Sequence, residues 1–177
     1  MHNGISPAYI KRCQKTLDSW GAPLWGWYCV STYDVKEEGW LGGNDDEMFS
    51  CELCGCESVR YVHVMHNKDY FEDVSVGCIC AGVMESDILQ ARERERFLRN
   101  RARRKQNYLK RRWEENASGS QTLYYKGEYI SIICCKTTKK LGVVHGGKTI
   151  WKYKGKQIEN FYSAVHAAFE LVDPKIL

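Results

Sequence analysis

The sequence predicts an α+β protein, in which a cysteine-rich module and a long basic helix precede a small antiparallel β-sheet packed on a C-terminal helix. Three observations lead to this prediction. Five of the nine cysteines lie between residues 51 and 80. Eleven Lys and Arg side chains crowd into residues 91–113. Residues 121–177 alternate short aromatic and β-branched runs with glycine turns and end in an apolar helical pattern.

The chain is expected to form two domains. The first, residues 1–115, joins an aromatic N-terminal segment to the cysteine-rich module at 49–85 and the basic helix at 86–113. Residues 116–120 have the sequence Asn-Ala-Ser-Gly-Ser, which is typical of a linker. Residues 121–177 make up the second domain, a β-sheet with one helix.

The elements of the first domain are predicted from periodicity. Tyr9, Cys13 and Leu17 recur at four-residue spacing and predict a helix over Ile5–Trp20. Aromatic and β-branched runs predict three strands, over Trp27–Thr32, Val59–Val64 and Asp73–Val76. The basic helix follows, from about Ser86 to Trp113, with Ser86 or Asp87 as its N-cap.

The second domain shows four strand signals and one helix signal. The strands are predicted over Leu123–Lys126, Tyr129–Lys136, Gly142–His145 and Lys148–Lys154. Gly146-Gly147 separates the last two and is a good two-residue hairpin turn, because glycine accepts positive φ. The helix is predicted over Ser163–Val172 and ends before Pro174.

The cysteine-rich module has the spacing of a zinc site. In Cys51-x-x-Cys54-Gly, two thiolates three positions apart face one ion in a tight turn. Cys78-x-Cys80 stands at the start of a short helix after a strand. A knuckle turn, then a β-hairpin, then further ligands at the start of a helix are the successive parts of a treble-clef zinc finger. We expect one structural Zn²⁺ bound by Cys51, Cys54, Cys78 and Cys80, because four protein ligands leave no position for water.

Two alternatives stay open at this module. Cys-x-Cys is tighter than the usual Cys-x-x-Cys, so His66 or His63 is an alternative to Cys78 as a ligand. A histidine beside a zinc knuckle is also typical of an HNH-type metal-dependent DNase. However, Val62 occupies the position where that motif usually has Asp. The four cysteines outside this stretch, Cys13 among them, are expected to be small buried side chains.

The charge distribution predicts a polyanionic partner. Residues 1–90 carry 6 Lys/Arg and 14 Asp/Glu, net −8, whereas residues 91–177 carry 20 and 8, net +12. Such a split suits a polyanion on one face or self-association of acidic and basic faces into a homo-oligomer. Arginine forks bind phosphate bidentately, so a nucleic acid is the expected partner, bound with little sequence preference and with strong salt sensitivity.

A solvated helix face is the alternative for the basic helix. Glu93 and Glu95 have the helical spacing to pair with Arg96 and Arg99, which neutralises part of it. The predicted RNA-binding residues are Arg99, Arg101, Arg103, Arg104, Lys105, Lys110, Arg111, Arg112 and Lys152.

A candidate site for RNA cleavage lies in the second domain. The sequence has no acidic cluster for two-metal hydrolysis, so cleavage there would be independent of metal. In that chemistry a base takes the 2′-OH proton, an acid protonates the leaving 5′-oxygen, and cations stabilise the phosphorane. His145, beside the glycine turn, is the best-placed base or acid, with Lys148 and Tyr153 as further catalytic candidates. The alternative for His145 is an ordinary turn histidine.

The run Phe49–Glu85 carries a resemblance. Its segments Cys-Glu-Leu-Cys-Gly, Val-Arg-Tyr-Val-His-Val-Met and Val-Gly-Cys-Ile-Cys-Ala-Gly-Val-Met-Glu resemble a treble-clef zinc-finger family with an Arg-rich helix and a small C-terminal β domain. The layout of residues 20–172 is similar to that of ring-activated zinc-finger ribonucleases of antiphage defence. The resemblance implies a latent endoribonuclease that assembles around ring-shaped phage proteins and cleaves RNA to block translation. The resemblance does not identify any catalytic residue in this chain.

Composition limits the other classes of function. The longest uncharged apolar stretch is Tyr129–Cys135, and the first residues have no apolar signal core. We therefore expect a cytoplasmic protein without a membrane partner. Besides the endoribonuclease, the alternatives are a non-catalytic zinc-finger protein that binds nucleic acid for regulation, and the HNH-like DNase.

Overall fold

The computed structural model describes residues 4–38 and 48–175. The fold is mixed α+β with antiparallel sheets and a C-terminal helix, as predicted. Its contacts divide the chain into two compact units, of which the first ends at Ala102 and the second begins at Arg103. Residues 1–3, 39–47 and 176–177 lie outside this description, and so do the parts of the predicted domains that fall on them. Within the described ranges, no helix is both long and apolar enough to cross a membrane.

The first unit begins with helix α1, Pro7–Ser19. The Ser6 side chain accepts a hydrogen bond of 3.3 Å from the Tyr9 backbone N–H, and the proline ring occupies the first helical turn, where no N–H is needed. Cys13 and Leu17 are each 1% exposed. The predicted stripe at four-residue spacing is therefore the buried face of this helix.

A three-stranded antiparallel sheet has the order β1-β2-β3. Its strands, with a single turn of helix (α2, Val35–Glu38) after the first, are β1 Tyr28–Asp34, β2 Tyr61–His66 and β3 Val74–Val76. β2 begins two residues later than predicted, because Val59 pairs with Phe49 in an isolated bridge. β2 is the central strand, and its His63 pairs with Thr32 on one side and Val76 on the other.

Two helices follow the sheet, α3 over Cys78–Met84 and α4 over Ile88–Leu109. Asp87 is the N-cap of α4, since its Oδ1 accepts a hydrogen bond of 3.0 Å from the backbone N–H of Gln90. α4 ends four residues before the predicted Trp113, where the chain turns towards the next strand. The helix continues past the last residue of the first unit, so the boundary between the units falls inside α4.

The second unit contains a five-stranded antiparallel meander of order β4-β5-β6-β7-β8 and a separate two-stranded hairpin, β9–β10. The strands are β4 Glu114–Glu115, β5 Gln121–Tyr125, β6 Glu128–Cys134, β7 Leu141–His145, β8 Lys148–Ile150, β9 Lys152–Tyr153 and β10 Lys156–Gln157. Each strand of the meander pairs with the next one along the chain. The order agrees with the short turns that the sequence indicates.

The segment predicted as a linker, residues 116–120, forms the turn of the β4–β5 hairpin. The side-chain oxygen of Asn116 accepts hydrogen bonds from the backbone N–H groups of Ser118 and Ser120, at 3.1 and 3.0 Å. Asn favours such turns because its side chain bonds the backbone just ahead of it. The same polar, glycine-containing composition that is typical of linkers therefore produces a tight turn here.

The predicted strand Lys148–Lys154 is divided at Trp151 into β8 and β9. The Trp151 ring packs against the sheet at Gly142, where a Cβ atom would lie 2.8 Å from the ring. Glycine at that position makes the close approach possible. The chain therefore leaves the meander at the tryptophan and forms the short hairpin with β10.

Helix α5, Phe161–Val172, covers one face of the meander. Asn160 caps it by accepting a hydrogen bond of 2.8 Å from the Ser163 N–H. The buried face of α5 packs with the inward side chains of β6 and β7, and this core includes Ala164, Ala168, Phe169, Ile130, Ile132 and Val143. Cys134, expected to be buried, is exposed at the last position of β6.

Candidate functional site

Three of the predicted metal ligands meet in one cluster. The sulfur atoms of Cys51, Cys54 and Cys80 all lie within 4.8 Å of one another. Cys51 and Cys54 belong to a tight turn in which the Gly55 N–H donates to the Cys51 carbonyl at 2.8 Å, with Gly55 at φ 71°, a conformation that favours glycine. Cys80 lies in the first turn of α3. Sulfur ligands grouped in this way could hold a metal ion.

Cys78, predicted as the fourth ligand, lies outside this thiol cluster. Side chains two positions apart in a helix point about 200° apart, because one turn takes 3.6 residues. Cys78 and Cys80 both belong to α3 and therefore face different sides of it. The Cys78 sulfur lies with the His63 ring and the Glu95 carboxylate, in a second group whose ligand atoms are all within 4.8 Å of one another.

The two histidines considered as replacements for Cys78 do not join the thiol cluster either. His63 belongs to the second group. The Nδ1 atom of His66 lies 2.7 Å from Oδ1 of Asp73, and its ring packs edge-on against Tyr28 at a centroid distance of 5.3 Å. His66 is thus held at the end of the β2–β3 hairpin.

Helix α1 places another buried thiol, Cys13, beside the thiol cluster, although its sulfur is not one of the three that lie within 4.8 Å of one another. Its interaction with Cys80 shifts the pKa of both thiols, and the residue is 1% exposed. One turn earlier on the same helix, the Tyr9 hydroxyl forms a hydrogen bond of 3.0 Å with the Cys80 sulfur. The four-residue spacing of Tyr9 and Cys13 predicts a packing stripe and does not indicate their approach to Cys80.

Burial and mutual contact set the protonation of these thiols. A hydrogen bond with Cys80, and then burial, raise the pKa of Cys51. The hydrogen bond with Cys13 is the largest factor that raises the pKa of Cys80, and the same bond lowers the pKa of Cys13. A cation placed among these sulfurs would stabilise their thiolate forms.

The second unit holds an acid–base pair. His145 ends β7, and its Nε2 atom lies 2.5 Å from Oε2 of Glu128, the first residue of β6. His145 pairs directly with Lys148 across the glycine turn. Residues opposite each other in an antiparallel pair project to the same face, so His145 and Lys148 share one. The sequence identified these two residues and missed Glu128, whose contact depends on strand register.

Tyr153, the third catalytic candidate, lies in β9, a hairpin separate from the meander that carries His145. Its ring packs against the hydrophobic core of the second unit, with its centroid 6.4 Å from that of His166 on α5. Tyr153 is therefore a packing residue by its contacts.

Four of the nine predicted RNA-binding residues form ion pairs with acids of the chain itself. The pairs are Arg99 with Glu95, Arg101 with Glu37, Arg104 with Asp173, and Lys105 with Glu170. Arg101 is 1% and Lys105 8% exposed, so their charges are used within the fold. The helical pair Arg96–Glu93 also forms, as predicted. The solvated-face interpretation therefore fits Arg96 and Arg99, whereas Arg101 and Lys105 are buried.

The other predicted RNA-binding residues are exposed. They are Arg103, Lys110, Arg111, Arg112 and Lys152. The Arg111 guanidinium lies over the Tyr125 ring, 4.9 Å from its centroid. Such stacking leaves the edge of the guanidinium free to donate hydrogen bonds. The cations just after α4, and Arg103 within it, are thus open to solvent, whereas Arg101, Arg104 and Lys105 are engaged in ion pairs.

Comparison with protein-family models, with curated proteins and with solved structures gave no match. Functional inference therefore depends on the geometry of the thiol cluster, the acid–base pair and the exposed cations.

Proposed function

We propose that this protein is a metal-independent endoribonuclease, with its reaction centre at His145 and a zinc-stabilised treble-clef module in the first unit. The observation that carries the proposal is the contact between His145 Nε2 and Glu128 Oε2 at 2.5 Å, with Lys148 opposite His145. A carboxylate that orients a histidine beside a cation is the arrangement that general acid–base catalysis on a phosphodiester needs.

The proposed reaction uses the 2′-hydroxyl of RNA as nucleophile. His145 takes the 2′-OH proton through Nδ1, because Nε2 is held by Glu128. The 2′-oxygen bonds to phosphorus and the bond from phosphorus to the 5′-oxygen breaks, which gives a 2′,3′-cyclic phosphate. Lys148 stabilises the charge on the phosphorane and protonates the leaving 5′-oxygen.

The zinc part of the proposal is supported by the chemistry of the donors. Cys51, Cys54 and Cys80 supply three sulfurs. Cys13, a buried thiol that interacts with Cys80 from helix α1, is proposed as the fourth ligand. Zinc prefers tetrahedral sites with sulfur ligands, and a site with four protein ligands is structural. A knuckle turn, the β2–β3 hairpin and a helix that carries the next ligand follow one another, as in a treble clef. The zinc would fix these elements together.

Changing Cys13 to serine is expected to weaken zinc binding by at least about 100-fold, more than the 10- to 100-fold typical of losing an outer contact. The physical reason is the loss of one of four sulfur ligands. Zinc competition with a chromophoric chelator measures the affinity, and Cys29→Ser is the matched control, because Cys29 is half-buried outside the thiol cluster and its thiol donates to the Ser31 carbonyl. Equal affinities of the two variants would remove Cys13 from the site.

RNA binding is assigned in this proposal to the exposed cations. Arg103, Lys110, Arg112 and Lys152 are available to phosphate, whereas Arg101 is buried with Glu37. Contacts of this kind are with the phosphate backbone, so binding should weaken steeply with salt. The resemblance adds a latent state, a homo-oligomer and activation by ring-shaped phage proteins.

The test is purified protein incubated with total RNA in EDTA, with and without a phage-infected lysate as the source of activator. Fragments ending in 2′,3′-cyclic phosphate, formed without Mg²⁺ and dependent on this protein, are the expected result. Zinc content measured after the reaction shows that the module is still loaded. An activated sample that yields no fragments contradicts the proposal.

A non-catalytic RNA-binding protein is the second candidate, favoured by the exposed cations at the end of α4. It predicts a salt-sensitive gel shift with RNA and no fragments in either arm of the same experiment. The HNH-like DNase has less support, because His63 is 0% exposed and such a site needs a histidine that reaches its substrate.

A further inference from the structure

Three side chains of different chemistry converge beside the thiol cluster. His63 comes from the central strand β2, Cys78 from the first turn of α3, and Glu95 from α4. One imidazole nitrogen, the sulfur and a carboxylate oxygen all lie within 4.8 Å of one another. The sheet register explains the approach, because His63 pairs with Val76, two residues before Cys78.

Of these three residues, His63 is the one whose surroundings indicate a bound ligand. It is 0% exposed, and neither Nδ1 nor Nε2 has a hydrogen-bond partner among the described residues. A buried polar group left unpaired costs about 1–3 kcal/mol, and in native proteins such groups are rare. A metal ion bound to one ring nitrogen gives that nitrogen a partner.

The charges and ligand types fit a divalent ion. A cysteine thiolate and a glutamate carboxylate together carry the charge that balances Zn²⁺, and zinc accepts sulfur, nitrogen and oxygen ligands. Arg99 is already bonded to Glu95 and lies where it would hold the carboxylate in place. The positive charge of Arg94 acts electrostatically on His63, and an ion pair with Glu85 neutralises it.

We propose that His63, Cys78 and Glu95 bind a second zinc ion, distinct from the one in the thiol cluster. Three protein ligands leave a fourth coordination position, as in zinc sites that bind water or a substrate. Cys78 and Glu95 line a cavity of about 330 Å³ whose wall also includes Arg60 and Arg99, and the three cysteines of the thiol cluster line the same cavity. A fourth position open to this cavity would take water or the oxygen of a small anion.

Zinc content separates this site from the thiol cluster. Wild-type protein, purified without chelators, is expected to contain about two equivalents of zinc by elemental analysis. Glu95→Gln and Cys78→Ser should each contain about one and keep the wild-type circular dichroism spectrum. Glu93→Gln is the matched control, since Glu93 lies on the same helix and is also paired with an arginine; it should keep both equivalents.

Cobalt substitution tests the open position. Added inorganic phosphate is expected to shift the visible bands of Co²⁺ in wild-type protein and to leave those of Glu95→Gln unchanged, and identical responses would contradict an open position. One equivalent of zinc in wild-type protein, or two in Glu95→Gln, overturns the second site. If Cys78→Ser loses all zinc and unfolds, Cys78 belongs to the thiol cluster and the proposal is also wrong.

Discussion

Cys80→Ser is expected to release the metal of the thiol cluster and to unfold the first unit. Cys80 is the residue that links the knuckle to α3 and α1, because its sulfur lies with those of Cys51 and Cys54 and is hydrogen-bonded to the Tyr9 hydroxyl of α1. Structural zinc contributes about 10–16 kcal/mol of apparent binding energy in zinc-finger peptides. That is as large as the whole stability of a typical domain, about 5–15 kcal/mol.

Zinc content and thermal unfolding followed by circular dichroism measure this effect. Cys29→Ser is the control, and it should keep both zinc and the unfolding transition, since Cys29 lies in β1 outside the thiol cluster. A Cys80→Ser protein that is free of zinc at this cluster and still unfolds cooperatively near the wild-type temperature would show that the metal does not hold the unit together.

Under the proposed function, His145→Ala is expected to lower RNA cleavage by about 100- to 10,000-fold, the usual contribution of a general acid–base group. The proposed RNA binding should change little, because the exposed cations in and just after α4 remain. Glu128→Gln should cause a smaller loss, since it keeps the shape of the side chain and removes the charge that orients the imidazole. Cleavage rates of activated protein and gel-shift affinities, measured on the same samples, separate the two effects.

Thr149→Ala is the matched control for the His145 variant. Thr149 is exposed on β8 and pairs with Val144, so its side chain projects to the face opposite that of His145 and Lys148. Its cleavage rate should equal that of the wild type. Unchanged cleavage by His145→Ala would move the reaction centre elsewhere or leave the protein as an RNA binder.

Most elements of this fold could be predicted because they have a local signal, whereas the short elements α2, β4 and β10 were not predicted. The period of four in α1, the glycine turn before Lys148 and the alternation in β6 and β7 depend only on neighbours along the chain. The ends of strands moved by one or two residues, since pairing partners distant in sequence decide them. Trp151 divides a predicted strand because of a contact with Gly142 that no local pattern contains.

The candidate sites could be predicted only in part, for the same reason. Cys51-x-x-Cys54 is a local motif, and both sulfurs are where it indicates. The separation of Cys78 from Cys80 follows from the helical start of α3, because side chains two positions apart in a helix point to different sides. Cys13 and Glu128 reach their partners through tertiary contacts. The acids that engage Arg101 and Lys105 likewise come from distant parts of the chain.

The single residue between Cys78 and Cys80 sets how many ions the first unit is built to bind under the proposals above. With one residue between them, one helical turn directs a sulfur to each side. An alanine inserted after Ile79 would turn this pair into Cys-x-x-Cys and bring both sulfurs towards the same ion. His63 and Glu95 would then lose their thiolate partner. Under these proposals, the number of metal ions that this module binds thus depends on the length of one short spacer.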